Sequence, residues 1–458
     1  MILKFKYITL FLMVVFYNSC IQTDLKSNIA NSRQHLAERP PMGWNSWICF
    51  GTSVTENEVK ANADFMSEHL LESGWEYIII DAGWYAPGMV KLEQYLSDEP
   101  EQLIDKYGRL IVDTEKYPSS INGKGLKPLA DYIHEKGLKL GIHMMRGIPI
   151  QAVEKNTPIK GTNYHARDIV NYNSQCDWYH GFYGIDMSKP GAQEYYNSIF
   201  ELYESWDIDY IKADDLLAPV YAVDEIDAIK IAIERLQRPI VLSLSPGPAP
   251  IENTKHLSET AQMWRISEDF WDNWESLKEQ FILCRKWQNY VGTGSWPDAD
   301  MLPIGPMAQR AMRGNPRMSH FTKDEQFTML TLWAMFRSPL MLGCNLPELD
   351  EFTLNLITND DVIQINQHSI DNRELFDRDG IICWHAKSCD KTIHYIALFN
   401  LNDDEVNDYR FDLNQINLGN NLDAKDLWFK KAINIKDNFL ITSIKAHGVK
   451  LIRITNKI

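Results

Sequence analysis

Seven carboxylates fall at or just after the ends of short apolar runs in this chain of 458 residues, and two cations stand beside them. A pocket with several carboxylates and a few cations can hold sugar hydroxyl groups by charge-assisted hydrogen bonds. Two such carboxylates can also break a glycosidic bond as acid, base or nucleophile. A single Asp after a strand is commonly a helix N-cap, so the interpretation depends on repetition at successive strand ends. The residues are Asp81, Asp214, Asp215, Glu268, Asp269, Asp298 and Asp300, with Lys212 and Arg265.

Motifs for other chemistries are missing from the sequence. It has no P-loop, no glycine fingerprint after a strand, no HExxH motif and no Cys/His set with zinc spacing. The pair Asp298 and Asp300 is only weak evidence for a cation site. The 46 Lys and Arg against 62 Asp and Glu give a formal charge of -16, which argues against nucleic acid as a partner. The sequence therefore predicts an enzyme without metal or cofactor.

The apolar runs alternate with amphipathic helical stretches, one of which is predicted from Ala192 to Trp206. This alternation predicts βα units and a parallel sheet. Eight such units are typical of a (β/α)8 TIM barrel, in which the chemistry lies at the carboxyl ends of the strands. The eight runs are 41–47, 75–81, 138–143, 208–214, 239–245, 263–269, 296–301 and 338–343.

The pattern changes near Asp371 to short alternating strands separated by Asn and Asp turns. We expect a catalytic barrel over residues 39–365 and a C-terminal antiparallel β-sandwich over residues 371–458. Within the second domain, Cys383 and Cys389 could pair across a hairpin or remain as idle thiols.

The N-terminus has the features of an export signal. Lys4 and Lys6 precede an apolar stretch over residues 8–16, which is too short to span a bilayer. Ser19-Cys20 then resembles a bacterial lipoprotein cleavage box, although ordinary cleavage or a chance Cys are alternatives. We expect a signal over residues 1–20, lipidation of Cys20, and a polar tether over residues 21–38. The protein would then be exported and periplasmic or attached to the outer membrane, with possible membrane anchoring through the lipid.

Six blocks of the sequence resemble, in order, those of glycoside hydrolase family 27. This clan D family comprises α-galactosidases (melibiases) and α-N-acetylgalactosaminidases, and its fold is a TIM barrel followed by a β-sandwich. Its mechanism is retaining, with two carboxylates. The matching blocks are residues 40–47, 75–84, 137–142, 209–214, 264–274 and 296–302.

The resemblance also implies roles for individual residues. Lys212-Ala213-Asp214 matches the family's nucleophile motif, which makes Asp214 the implied nucleophile. Asp269, four residues after Arg265, is the implied general acid and base. The implied substrate-binding residues are Trp47, Asp81, Trp84, His143, Lys212, Ser245, Arg265, Asp300 and Met301.

The sequence departs from the family at positions that bear on the sugar. Ala82 stands where the family usually has a second Asp that binds galactose near its 4- and 6-hydroxyls, and His143 stands where Tyr is common. The block over residues 243–249 replaces a Ser-Leu-Cys-Glu motif that acts near C2. A long segment over residues 144–184 follows the third strand; it could build extra subsites or serve only as a barrel wall.

We therefore expect an exo-acting retaining hydrolase that releases terminal α-linked galactose from oligo- or polysaccharides. One alternative is the same mechanism on another sugar, such as an α-N-acetylgalactosaminide, a β-L-arabinopyranoside or a substituted galactoside. Another is a non-catalytic carbohydrate-binding lipoprotein, which the presence of both Asp214 and Asp269 argues against. The sequence does not indicate an oligomeric state.

Overall fold

The structure is a computed structural model that describes residues 36–88, 100–311, 314–419 and 421–457. The signal at 1–20, Cys20 and most of the tether lie outside the described residues. The helices are α1 (Trp47–Phe50), α2 (Glu56–His69), α3 (Lys127–His134), α4 (Ile150–Lys155), α5 (Ala166–Ile169), α6 (Ala192–Ser205), α7 (Val223–Glu234), α8 (Thr254–Thr260), α9 (Trp274–Trp287), α10 (Lys323–Phe336), α11 (Glu351–Ile357) and α12 (Asp360–His368). The strands are β1 (Met42–Asn45), β2 (Tyr77–Ile80), β3 (Lys139–Met145), β4 (Ile148–Pro149), β5 (Val170–Gln175), β6 (Phe182–Ile185), β7 (Tyr210–Asp214), β8 (Val241–Leu244), β9 (Met263–Arg265), β10 (Trp296–Asp298), β11 (Pro306–Met307), β12 (Arg317–Met318), β13 (Leu340–Leu342), β14 (Ser369–Arg378), β15 (Ile381–Ser388), β16 (His394–Asn400), β17 (Val406–Asp412), β18 (Leu422–Asp426), β19 (Asn434–Lys436), β20 (Phe439–Ile444) and β21 (Val449–Asn456).

Eight parallel strands form one sheet in chain order: β1, β2, β3, β7, β8, β9, β10 and β13. The last strand pairs with the first, Leu340 lying opposite Met42. On the other side, a parallel bridge joins Leu302 to Leu342 and closes the sheet after β10. The predicted TIM barrel is confirmed, and each of the eight predicted runs contributes one strand.

The barrel interior is filled at the amino ends of the strands. Alternate residues of six strands point inward there and form one buried cluster, because successive side chains of a strand face opposite sides. The open end of the barrel is therefore the carboxyl end. The cluster comprises Tyr77, Ile79, Tyr210, Val241, Met263, Trp296 and Met341.

A small antiparallel sheet is inserted between β3 and β7. It consists of β4, β6 and β5 in that order, and we call it the inserted sheet. The helix α6 follows it, close to the bounds predicted for it, and returns the chain to β7.

The C-terminal residues form two antiparallel sheets, β14-β15-β16-β21-β18 and β17-β20-β19, which confirms the expected antiparallel C-terminal domain. Apolar side chains such as Leu398, Phe411 and Leu440 are buried between the sheets. Cys383 is a free thiol buried in this core, and Cys389 is a free exposed thiol whose Sγ lies 2.8 Å from the His368 carbonyl oxygen. The disulfide considered from the sequence is therefore not formed.

Within the described ranges, no helix combines the length and apolar character needed to cross a membrane.

Candidate active site

A cavity of about 580 Å³ opens at the carboxyl end of the barrel. Residues at or after the ends of seven barrel strands form its wall, as expected for a TIM barrel, and Trp178 joins them from the segment between β3 and β7. The lining residues are Trp47, Asp81, Ala82, His143, Trp178, Lys212, Asp214, Ala218, Pro219, Ser245, Pro246, Gly247, Pro248, Arg265, Glu268, Asp269, Trp271 and Met301.

Asp214 is the last residue of β7, and its carboxylate lies at the floor of the cavity with 12% of the side chain exposed. Its Oδ2 lies 3.1 Å from Nε2 of His143, and its Oδ1 accepts a hydrogen bond of 2.9 Å from the Ser245 hydroxyl. Burial alone would raise the pKa of Asp214. The hydrogen bond from His143 and the charge of Lys212 outweigh that effect and lower the pKa to about 2. The carboxylate is therefore ionised at neutral pH.

Lys212 links the ends of β7 and β2. Its Nζ donates a hydrogen bond of 2.8 Å to Oδ2 of Asp81, and Nδ2 of Asn45 donates to the same oxygen at 2.7 Å. Burial opposes the charge on Lys212, but the carboxylates of Asp81 and Asp214 raise its pKa above the ordinary value. This side of the cavity therefore presents an ordered, charged set of hydrogen-bonding groups.

Asp269 stands at the mouth of the cavity, with 54% of its side chain exposed. Its Oδ1 lies 3.5 Å from Nη2 of Arg265. The same guanidinium is buried and lies 2.9 Å from Oδ2 of Asp300. Asp214 and Asp269 thus face one cavity from different depths.

Two of the predicted substrate-binding residues lie behind the residues that line the cavity. Trp84 is fully buried, and its indole Nε1 donates to the His143 carbonyl oxygen at 2.9 Å. Asp300 is buried, pairs with Arg265 and accepts a hydrogen bond of 2.8 Å from the Phe270 amide. Neither residue is among those that line the cavity, and their polar groups support cavity residues; their contact with the sugar stays a prediction. The other predicted residues line the cavity: Trp47, Asp81, His143, Lys212, Ser245, Arg265 and Met301, with Asp214 and Asp269.

Two further members of the acidic set also lie behind the cavity. Asp215 points away from the cavity, and its Oδ2 forms an ion pair with Nη2 of Arg146 at 2.7 Å. Burial raises the pKa of Asp215 to about 6. Burial likewise raises the pKa of Asp298 to about 7, against the lowering effect of Arg265. Of the seven carboxylates, Asp81, Asp214, Glu268 and Asp269 therefore reach the cavity.

Several lining residues were not among the predicted site residues. Trp178 belongs to the segment after β3, and Trp271 follows Asp269 by two positions in the chain. Trp271 could have been predicted from the sequence, because it is an aromatic residue close in the chain to a catalytic candidate. Ala218 and Pro219 follow β7 without any feature that distinguishes them in the sequence.

Among the described residues, one group of three potential metal ligands is close enough to hold an ion: Asp131, His134 and Asp207. The ammonium group of Lys127 already pairs with both carboxylates, at 3.2 Å from Asp207. Asp131 and His134 lie on α3, and Asp207 lies just before β7. All three are therefore near the amino ends of barrel strands, away from the cavity. We interpret them as a surface ion-pair cluster.

Comparisons with known proteins agree with this architecture. A family model described as alpha galactosidase A matches residues 39–154 and 183–368, and a model of the alpha galactosidase C-terminal beta sandwich domain matches residues 379–454. The chain is 27% identical over 454 residues to an α-galactosidase of Cyamopsis tetragonoloba, which covers 95% of this chain and 92% of that protein.

Solved structures show higher similarity. A GH27 β-L-arabinopyranosidase of Geobacillus stearothermophilus, in complex with arabinose, is 44% identical with a TM-score of 0.90, over 93% of this chain and 99% of that one. A protein described as a putative α-N-acetylgalactosaminidase of Bacillus halodurans is 42% identical with a TM-score of 0.82, over 91% of this chain and 97% of that one. Both the barrel and the C-terminal domain are matched, and the chain belongs to glycoside hydrolase family 27, the family of the α-galactosidases.

Proposed function

We propose that this retaining glycoside hydrolase uses Asp214 as its nucleophile and Asp269 as its general acid and base. The observation that carries the proposal is the ionised, hydrogen-bonded carboxylate of Asp214 on the cavity floor. A nucleophilic carboxylate must be ionised to attack, and the low pKa of Asp214 provides this at neutral pH. Asp269, at the mouth, can reach a leaving group that extends toward solvent.

The reaction follows in two steps that exchange the roles of the carboxylates. In the first, a carboxylate oxygen of Asp214 bonds to the anomeric carbon, the glycosidic C–O bond breaks, and Asp269 gives its proton to the leaving oxygen. In the second, Asp269 takes a proton from water, the water oxygen bonds to the anomeric carbon, and the ester bond to Asp214 breaks. The two inversions together retain the anomeric configuration. Lys212 and Asp81 are placed to hold sugar hydroxyl groups.

The substrates supported by the site are terminal pyranosides with the galacto arrangement of hydroxyl groups. β-L-Arabinopyranose has the ring configuration of α-D-galactopyranose and lacks only the hydroxymethyl group at C5. Ala82 lines the cavity with a methyl group where the family commonly has a carboxylate near O4 and O6. Together with the similarity to a β-L-arabinopyranosidase, this favours the β-L-arabinopyranoside over the α-galactoside, which is the second candidate.

A pair of nitrophenyl glycosides tests this preference. We expect kcat/KM for the β-L-arabinopyranoside to exceed that for the α-galactoside by about tenfold or more, the size of one lost polar contact. The variant Ala82→Asp restores a carboxylate, so it should raise the ratio of galactoside to arabinopyranoside turnover. A wild type that prefers the α-galactoside, with no response of the ratio to Ala82→Asp, would refute the assignment of the pentoside.

For cellular location, we propose an exported lipoprotein anchored through Cys20, supported by the basic, apolar and Ser19-Cys20 features of the sequence. Labelling of expressing bacteria with a palmitate analogue should mark the wild type and not Cys20→Ala. The variant should also leave the membrane fraction. Equal labelling of both proteins would exclude Cys20 as the acylated residue.

A further inference from the structure

The cavity is larger than the single sugar released by hydrolysis requires. Its volume of about 580 Å³ is in the range of pockets that bury drug-sized ligands, about 300–1,000 Å³. The two proposed catalytic carboxylates lie at different depths, with 12% of the Asp214 side chain and 54% of the Asp269 side chain exposed. The bond that breaks lies between them, so the leaving group extends from Asp214 toward the mouth.

Trp178 stands in this outer part of the cavity. It lines the wall and is 36% exposed, whereas eight other Trp side chains of the described residues are fully buried. It belongs to residues 155–182, which fall in the gap between the two stretches that match the family model. Trp47, in contrast, lies near the partly buried Lys212, whose Nζ is 6.0 Å from the centroid of its ring. The two indoles therefore serve different depths of the cavity.

The turn that carries Trp178 is fixed by buried contacts. Cys176, two residues before Trp178, is buried and interacts with the carboxyl group of Asp215, the residue after the nucleophile. The buried ring of Tyr179 stacks beside Trp178 with centroids 6.2 Å apart, and its hydroxyl accepts from Gln102 at 2.9 Å.

The strand before the turn is held in the same way. Nη1 of Arg146 donates to the Ser174 hydroxyl at 2.9 Å while the guanidinium also binds Asp215. The turn that carries the indole is thus held close to the end of β7, where Asp214 lies. A ring held in advance loses little conformational entropy when a ligand covers it.

We propose that Trp178 forms a leaving-group subsite that stacks against the apolar face of the sugar adjoining the scissile bond. The natural substrates are then oligosaccharides or polysaccharide branches in which a pyranose follows the released sugar. This inference rests on the proposed function, because the roles of Asp214 and Asp269 set the direction in which the leaving group points. Flat aromatic side chains bury large, rigid apolar surface at low entropic cost, which suits a sugar face.

The test compares a substrate that has a leaving-group sugar with one that has none. The pair is β-L-arabinopyranosyl-(1→3)-L-arabinose and β-L-arabinopyranosyl fluoride, or melibiose and α-galactosyl fluoride if the wild type prefers galactosides. For Trp178→Ala we expect kcat/KM on the disaccharide to fall about tenfold, the size of one aromatic contact, and kcat/KM on the fluoride to stay within about twofold. Trp178→Phe, which keeps a ring, should recover most of the loss.

A matched control addresses loosening of the inserted sheet. Tyr172 is 57% exposed on β5, packs against Tyr183 with ring centroids 5.4 Å apart, and is not among the residues that line the cavity. Tyr172→Ala should leave both substrates unaffected. Equal losses on both substrates in Trp178→Ala, or no loss on either, would overturn the subsite. A wild type that turns over neither fluoride would instead refute the proposed function.

Discussion

At the scale of single residues, the contacts of Asp214 set the pH dependence of the reaction. His143 and Ser245 both donate to its carboxylate, and His143 has the larger effect in lowering its pKa to about 2. Asp214 must be ionised to attack, so activity declines as the pH falls through this pKa.

Replacement of His143 should therefore move the acid limb of the kcat/KM profile. His143→Phe removes the hydrogen bond to the carboxylate, which raises the pKa of Asp214 and shifts the limb to higher pH. We expect a loss of about 10- to 100-fold near neutral pH, as for a hydrogen bond to a charged group. Ser245→Ala is the comparison, with a smaller shift in the same direction. A profile of His143→Phe that overlays the wild type would show that His143 does not tune the nucleophile.

At the scale of elements, Arg146 joins the inserted sheet to the barrel. It is buried and contacts Oδ2 of Asp215 and Oε1 of Glu225, both at 2.7 Å, and the Ser174 hydroxyl. The hydroxyl of Tyr196 lies 2.5 Å from the other Glu225 oxygen. Removal of the guanidinium would leave two buried carboxylates without their cation.

We predict that Arg146→Met lowers the free energy of unfolding by about 3–5 kcal/mol, measured by urea denaturation. Arg167→Met is the matched control, because Arg167 is exposed on the same segment and, among the described residues, its guanidinium donates only to the Val153 and Glu154 carbonyl oxygens. Its effect should stay within about 0.5 kcal/mol, the usual range for surface substitutions. Similar losses in the two variants would contradict the anchoring role of Arg146.

The elements also show what the sequence could and could not predict. Each barrel strand lies in an apolar run, and several of these runs end in charged residues, so the alternation of the runs with helical stretches located all eight. Strand β14 has no alternating apolar pattern from which to predict it, because polar and charged residues such as Asp371, Arg373 and Glu374 fill it, and it is stabilised by pairing with β15. The wall position of Trp84 depends on its hydrogen bond to the His143 carbonyl oxygen, and the turn that carries Trp178 is anchored by the contact of Cys176 with Asp215. No local pattern encodes contacts so distant in sequence.

At the scale of the whole molecule, one apolar core continues from the barrel into the C-terminal domain. Phe281 of α9 packs edge-to-face on Phe399 of β16, with ring centroids 4.9 Å apart, and both are buried. Trp384 and Leu451 of the C-terminal domain belong to the same cluster as the barrel residues. Because neither domain buries this surface alone, the two should unfold together.

Phe281→Ala tests this cooperativity. The cavity it creates should cost about 3–5 kcal/mol, and calorimetry should still show a single transition at a lower temperature. The neighbouring Ile282→Ala, at a side chain that is 62% exposed, should shift stability by no more than about 0.5 kcal/mol. Two separate transitions, of which only one moves, would show that the domains are energetically independent.

The account depends most on the assignment of Asp214 as the residue that forms the covalent intermediate. The direct measurement is peptide mass spectrometry after incubation with a fluorinated glycosyl fluoride. Its ring fluorine destabilises the oxocarbenium-like transition states of both steps, while the fluoride leaving group keeps the first step fast, so the covalent intermediate accumulates. We predict one glycosyl adduct on the peptide that contains Asp214, and no adduct in Asp214→Asn. An adduct on Asp269, Glu268 or another carboxylate, or a first product of inverted configuration, would contradict the account.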